Sequence, residues 1–300
     1  MIKPLTKIIL LMLIGITGCQ LTEEKQAAIV SDQVTYQRMI SLSGAITETL
    51  FALGVGDRVV GVDVTSTFPE EATALPQLGH VSQLNTEAIL GLQPDLIIAE
   101  SSEATNQSLQ SLQLAGIKLL FVSNTHTLDS PIDMATELAE TLGSTNQLQH
   151  LRKANSAGQK KLTTLLQQKQ YTPKVLFIYA RGKGSLMVAG RNTSAAAMIE
   201  IAGGKNAVDQ FEGFKALSAE GLIEAKPDVV LLFESGLKSI GGEEGLLQIP
   251  SLSKTPAGMH RRFIAMDGLY LLGFTPRAIE SAVELATRLH TFDYKENESF

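Results

Sequence analysis

Tryptophan is missing from this chain of 300 residues and cysteine occurs once, which excludes an internal disulfide, a multi-cysteine metal centre and an iron–sulfur cluster. Aromatic residues make up only 5%, leaving few platforms on which bases could stack, and the formal charge of −6 supplies no basic field for a phosphate backbone. Nucleic acid is therefore not an expected partner. Catalytic signatures are missing too: there is no Walker loop, no G-x-S-x-G elbow and no H-E-x-x-H pair. Gly54-Val55-Gly56 and Gly182-Lys183-Gly184 are fragments of a dinucleotide fingerprint without its third glycine, and they read as turns. The histidines at 80, 126, 150, 260 and 290 are scattered, which argues against a zinc or manganese site built from converging imidazoles and carboxylates. His150 and His290 are expected on helical surfaces, His126 and His260 in polar loops.

A hydrophobic content of 44% over this length is ample for two buried cores. The single cysteine is informative by position. Lys3 and Lys7 precede the apolar run IILLMLIGI, which ends at Ile16-Thr17-Gly18-Cys19. The run is shorter than the roughly 20 residues that span a bilayer. The pattern resembles a bacterial lipobox, which implies a signal peptide over 1–18, lipidation of Cys19 and a flexible polar tether over 19–34.

Downstream, short apolar strands alternate with capped helices, as in a parallel sheet covered on both faces. The predicted order is a strand near 38–43, a helix 45–53 closed by Gly54, a strand 59–62, a helix 86–92 capped by Asn85, a strand 96–99, a helix 107–115 and a strand 118–122. Pro131 opens a helix that Gly143 stops. From Thr145 to Lys169 there is no proline and one glycine, Gly158. Leu148, Leu151, Ala154, Gly158, Leu162 and Leu165 form one apolar face, so a strut about 40 Å long is expected, weakest at Gly158. Beyond it the plan repeats. The segment LNTEAILGLQPDLIIAE from Leu84 aligns with LSAEGLIEAKPDVVLLF from Leu217, and Glu87 falls on Glu220. The expected fold class is α/β: two Rossmann-like lobes, each a mostly parallel sheet flanked by helices, joined by one long α-helix. The lobes take 35–143 and 171–292, the linking helix 144–170 and a polar tail 293–300.

His80 follows Gly79 on an extended segment just before the helix that carries Glu87, at the kind of strand-end position where α/β sheets present ligand-binding groups. The lipobox, the paired lobes and the long helix accompany Gly190-Arg-Asn-Thr-Ser-Ala-Ala-Ala-Met-Ile, Ala202-Gly-Gly-Lys-Asn-Ala and Leu271-Leu-Gly-Phe-Thr-Pro-Arg277. Together they resemble the periplasmic haem (hemin) substrate-binding proteins of bacterial ABC importers, over residues 36–290. The resemblance implies a lipid-anchored, extracytoplasmic binding protein that takes part in iron uptake and is not an enzyme. Haem would be its transported ligand and an inner-membrane ABC permease dimer its partner. Members of that family usually carry a tyrosine as axial iron ligand where this chain has His80. Imidazole also ligates haem iron. Some relatives place a histidine on the other lobe where Arg181 stands here, and arginine, which cannot ligate, could pair with a propionate. Tyr179 is a possible oxygen ligand, or simply a strand-end core residue. Arg191 and Arg277 are further haem-contact candidates. Glu87 and Glu220 match the acids with which the family docks on its permease. A binding protein for a ferric siderophore or cobalamin is the alternative, and a tethered α/β enzyme ranks below both.

Overall fold

The computed structural model describes residues 35–182 and 186–294. The signal peptide, Cys19, the tether and most of the polar tail expected from the sequence lie outside these residues. The first lobe runs β1 (Met39–Ser41), α1 (Gly44–Ala52), β2 (Val59–Val62), α2 (Glu70–Thr73), α3 (Thr86–Gly91), β3 (Leu96–Glu100), α4 (Gln107–Leu114) and β4 (Lys118–Val122). All four strands are parallel, in the order β2-β1-β3-β4. Runs such as Leu96-Ile-Ile-Ala are buried on both faces, as strands covered by helices on each side must be. Leu96 and Ile98 join the core on one face, and Ile40 and Ile97 the core on the other.

Two helices follow, α5 (Ser130–Leu142) and α6 (Leu148–Gln167). The second lobe continues with β5 (Lys174–Ala180), β6 (Leu186–Ala189), α7 (Ser194–Ile201), β7 (Lys205–Asn206), β8 (Phe214–Ala216), α8 (Ala219–Ala225) and β9 (Val229–Phe233). It closes with α9 (Glu234–Ser239), α10 (Gly242–Leu247), α11 (Pro256–Met259), β10 (Phe263–Met266), α12 (Gly268–Leu272) and α13 (Ala278–Thr291). Here β10, β9 and β5 are parallel, as β4, β3 and β1 are, but β6 turns back against β5 and β8 against β6. The chain is α/β with two parallel-rich sheets flanked by helices.

The repeated Pro-Asp has one structural job in both halves. The Asp95 carboxylate accepts hydrogen bonds from the backbone N–H groups of Gln37 (2.7 Å) and Arg38 (3.1 Å), at the entry to β1. Asp228 accepts from the N–H of Lys174 at 2.8 Å, at the entry to β5. Each aspartate also donates its own backbone N–H to the carbonyl of the residue it clasps, Arg38 or Lys174. Proline ends the helix and aspartate then ties the start of the central strand to the start of its neighbour.

The linking helix is shorter than the sequence suggests. At 20 residues α6 spans about 30 Å, because the chain has to reverse after α5 and spends 144–147 on the turn. Gly143 ends α5 at φ 67°, and the Ser144 hydroxyl anchors the turn on the carbonyl of Leu53 at 2.9 Å. Nor is α6 free-standing, since it packs on α5 at one end and on α13 along its length. Gly158 therefore has another meaning than a weak point. A Cβ there would lie 2.5 Å from Cγ1 of Ile279, whose branched side chain fits against the bare backbone of α6. Gly158→Ala should gain about 1 kcal/mol in helix propensity. It should lose about 1–3 kcal/mol to overpacking. The expected net effect in urea denaturation is destabilisation, and a stabilised variant would mean that α6 and α13 separate at little cost.

Candidate functional site

Ligands of open α/β sheets bind beyond the carboxyl ends of the strands. In this chain those ends carry the loops after β1, β2 and β4 in one lobe and after β5, β9 and β10 in the other, and the two sets meet. Arg277, ahead of α13, donates from Nε (2.8 Å) and Nη2 (2.7 Å) to the two carboxylate oxygens of Glu48 on α1. The guanidinium lies 3.6 Å from the ring centroid of Phe68 and 5.1 Å from that of Tyr270. Asn124, after β4, donates to the carbonyl of Gly273 at 3.2 Å. At Gly44 a Cβ would fall 2.5 Å from the carbonyl oxygen of Thr65 and 2.6 Å from Cδ1 of Leu269, so α1 and α12 close together only over glycine. These contacts make the floor of a cleft.

One wall is the segment from Asp63 to Phe68 together with the Leu78–Asn85 loop. The buried Asp63 carboxylate accepts from the hydroxyls of Thr65 (2.7 Å) and Ser66 (2.8 Å). Burial pushes its carboxyl above the usual range, against the lowering by those hydroxyls and by His80. Val64 donates its N–H to the carbonyl of Gly79 at 3.2 Å, which holds the two stretches side by side. Gly79 has φ 90°, and a Cβ there would sit 2.7 Å from the carbonyl oxygen of Gln83. The residue before His80 must therefore be glycine. His80 is exposed and caps the 3-10 turn Val81–Gln83: its Nδ1 accepts from the N–H of Ser82 at 3.2 Å and lies 2.9 Å from the Ser82 hydroxyl. Among the described residues, Nε2 has no hydrogen-bond partner. Val64 (50%) and Phe68 (40%) leave large apolar surface uncovered on this wall.

The other wall is aromatic. Tyr179, near the end of β5, meets Phe214 (6.2 Å) and Phe233 (5.8 Å) edge to face, and the Arg181 guanidinium lies 5.1 Å from its ring centroid. Phe214 is 41% exposed. The structure thus places Tyr179 and Arg181 together, with His80 on the opposite lobe. Two other candidates, Arg277 and Arg191, have acidic partners of their own. Arg277 commits Nε and Nη2 to Glu48, so its charge is already paired within the protein. Arg191 is exposed, lies 3.7 Å from Glu212, and lines a flanking concavity of about 570 Å³ with His126, Thr193 and Lys205. Glu87 and Glu220 occupy matching places, exposed in the first turns of α3 and α8, after the caps Asn85 (3.0 Å to the N–H of Ala88) and Ser218 (3.0 Å to that of Gly221).

Sequence reading missed Glu48, Asp63, Val64, Phe68, Phe214 and Phe233. Each is an ordinary residue locally, and only exposure or a partner far along the chain marks it. His290, expected on a helical surface, is half-buried, and burial pushes its imidazole below the usual value. Among the described residues no three His, Cys, Asp or Glu side chains converge as metal ligands. A lone exposed imidazole can offer one axial bond to a metal already chelated in a plane.

The comparisons bear on the family and the fold. A family model described as periplasmic binding protein matches residues 39–269. The ABC transporter substrate-binding lipoprotein YvrC of Bacillus subtilis is 25% identical, over 87% of this chain and 82% of its own. The vitamin B12-binding protein of Vibrio parahaemolyticus is 24% identical, over 86% of this chain and 91% of its own. Among solved structures, the periplasmic heme-binding protein RhuT from a Roseiflexus species in apo form superposes with a TM-score of 0.80 at 40% identity, covering 85% of this chain and 98% of that one. The periplasmic heme-binding protein BhuT in complex with two hemes gives 0.80 at 33% identity, covering 86% and 98%.

The inter-lobe ion pair makes an asymmetric prediction. The Glu48 side chain is 4% exposed and that of Arg277 27%, so stranding the carboxylate should cost more than stranding the guanidinium. Arg277→Gln is expected to lose about 3–5 kcal/mol in urea denaturation. Glu48→Gln, which keeps a neutral acceptor for a cation that can reach water, should lose about 2 kcal/mol. The reverse order would show that the pair is not buried as described.

Proposed function

The chain belongs to the periplasmic binding protein family, and on that premise we propose that it captures haem between its two lobes outside the cytoplasmic membrane and delivers it to an ABC permease dimer. One observation carries the reading: His80 is an exposed imidazole that belongs to no cluster of three metal-ligating side chains among the described residues, while Val64, Phe68 and Phe214 offer uncovered apolar surface of the kind a flat macrocycle requires. The named heme-binding structures support it. Binding and release are the whole task, and no covalent step is needed. Cys19 is the lipid attachment that would keep the receptor beside its permease, and Glu87 and Glu220 are the acids that would dock on it.

The hydrogen bonds of His80 bear on how it would ligate. A neutral imidazole bound to iron through Nε2 carries its proton on Nδ1. That proton has an acceptor in place, the Ser82 hydroxyl at 2.9 Å, at the cost of the longer bond from the N–H of Ser82. Arg181 is the cation that would pair with a propionate, and Tyr179 is the next candidate ligand. A corrinoid is the second reading, favoured by the likeness to vitamin B12-binding proteins, and in it His80 is incidental.

Absorption spectra with added hemin test both readings. The wild-type protein should give a protein-bound Soret band. His80→Ala should shift that band and speed haem loss about tenfold or more, the loss of one bond worth at least 1.4 kcal/mol. His80→Tyr should add the charge-transfer band of a phenolate bound to iron. If His80→Ala matches the wild type in spectrum and off-rate, the ligand is another residue and Tyr179→Phe becomes the informative variant. A protein that ignores hemin and binds cyanocobalamin would establish the second reading.

A further inference from the structure

The 133-residue register that superposes Glu87 on Glu220 also superposes Leu90 on Ile223. Among the described residues these are two of the large apolar side chains left uncovered, at 49% and 48% exposure. Each stands three positions after its acid on a short helix, α3 or α8, so acid and aliphatic share one helical face. The residue just before each, Ile89 or Leu222, is fully buried and roots the helix in its own lobe. Neither carboxylate has a hydrogen-bond or ion-pair partner among the described residues. A single exposed aliphatic is ordinary on a protein surface. Here the same slot is filled twice, at nearly the same exposure and beside an unpaired acid both times.

We infer that Leu90 and Ile223 are the apolar halves of two equivalent docking patches, each an acid with an aliphatic side chain one helical turn along. The partner they fit offers a basic group beside an apolar recess, twice. A chain with two like patches on duplicated lobes matches a partner with two-fold symmetry, which presents each of its surfaces twice. The ABC permease dimer is that partner, and the inference rests on the docking role proposed above for Glu87 and Glu220. The two halves of a patch divide the work. The carboxylate attracts at long range and is screened by salt, whereas the aliphatic side chain contributes at contact by leaving water and is insensitive to salt at physiological strength.

The test measures binding of the haem-loaded full chain to its cognate permease dimer in nanodiscs, by biolayer interferometry at low and moderate salt. Leu90→Gln and Ile223→Gln should each weaken binding, and to a similar extent. Half the burial of a Leu or Ile corresponds to roughly fivefold to tenfold. The double variant should multiply these effects, since the sites lie on separate lobes. Its salt dependence and its hemin spectrum should stay those of the wild type, which also certifies the fold. Glu87→Gln with Glu220→Gln should instead flatten the salt dependence. A Leu90→Gln, Ile223→Gln double variant that binds within twofold of the wild type overturns the inference and leaves the acids in place. If the Glu87→Gln, Glu220→Gln pair also binds with unchanged affinity and salt dependence, the docking role itself is wrong.

Discussion

The pair between Glu48 and Arg277 sets the conditions for everything above it. Two charges withdrawn from water cost several kcal/mol each, and only good geometry with further compensation returns that cost. Here the geometry is a two-point fork, and the exposed face of the guanidinium is sheltered by Phe68 and Tyr270. Such a pair adds little net stability over a well-packed apolar contact, but it admits one relative position of α1 and α13. Asn124 on Gly273 and the close approach at Gly44 agree with that position. The pair also neutralises a cation at the cleft floor.

A floor held in this way limits what the lobes can do. Wide closure would have to break a charge-assisted pair and bend α6 away from α13, whose Ile279 is seated on Gly158. Small rocking about the floor breaks neither. A pre-shaped cleft suits a rigid planar cargo, because little conformational entropy is then lost on capture.

What could be read in the sequence was whatever local chemistry dictates. Asn85, Thr193 and Ser218 cap helices through the side-chain bonds their residue types suggest, and the doubly buried strands announced themselves as unbroken apolar runs. The duplicated Pro-Asp was visible, although its clasp on the next strand was not. Features that depend on a distant partner were illegible. Arg277 looked like a free cation because Glu48 lies 229 residues away. Gly158 looked like a flaw because Ile279 belongs to another helix, and the linking helix looked longer because nothing in 144–147 forbids helix until α5 has to fold back. The helices between 234 and 259 went unread for a related reason. They are short, and their caps include left-handed Gly241 and Ser251, a conformation that residue type does not announce for serine.

The duplication then explains the asymmetry of the cleft. Carried upstream in the same register, His80 corresponds to Gly213 and Val81 to Phe214. The two lobes thus bring equivalent loops to the cleft with opposite chemistry. One supplies an imidazole on a turn that Gly79 alone permits, and the other an aromatic ring at the start of an edge strand, packed edge-on against Tyr179. A site made of two identical loops would hold a metal from both sides and release it slowly. If His80 ligates as proposed, a single coordinate bond on one side would hold the metal, and the rest of the grip would come from apolar area on the other. Equivalent helices just beyond these loops carry Glu87 with Leu90 and Glu220 with Ile223, so a two-fold partner would pull on both sides of that rim from matching points. The two lobes are thus alike at the helices proposed for docking and unlike at the loops proposed for the cargo.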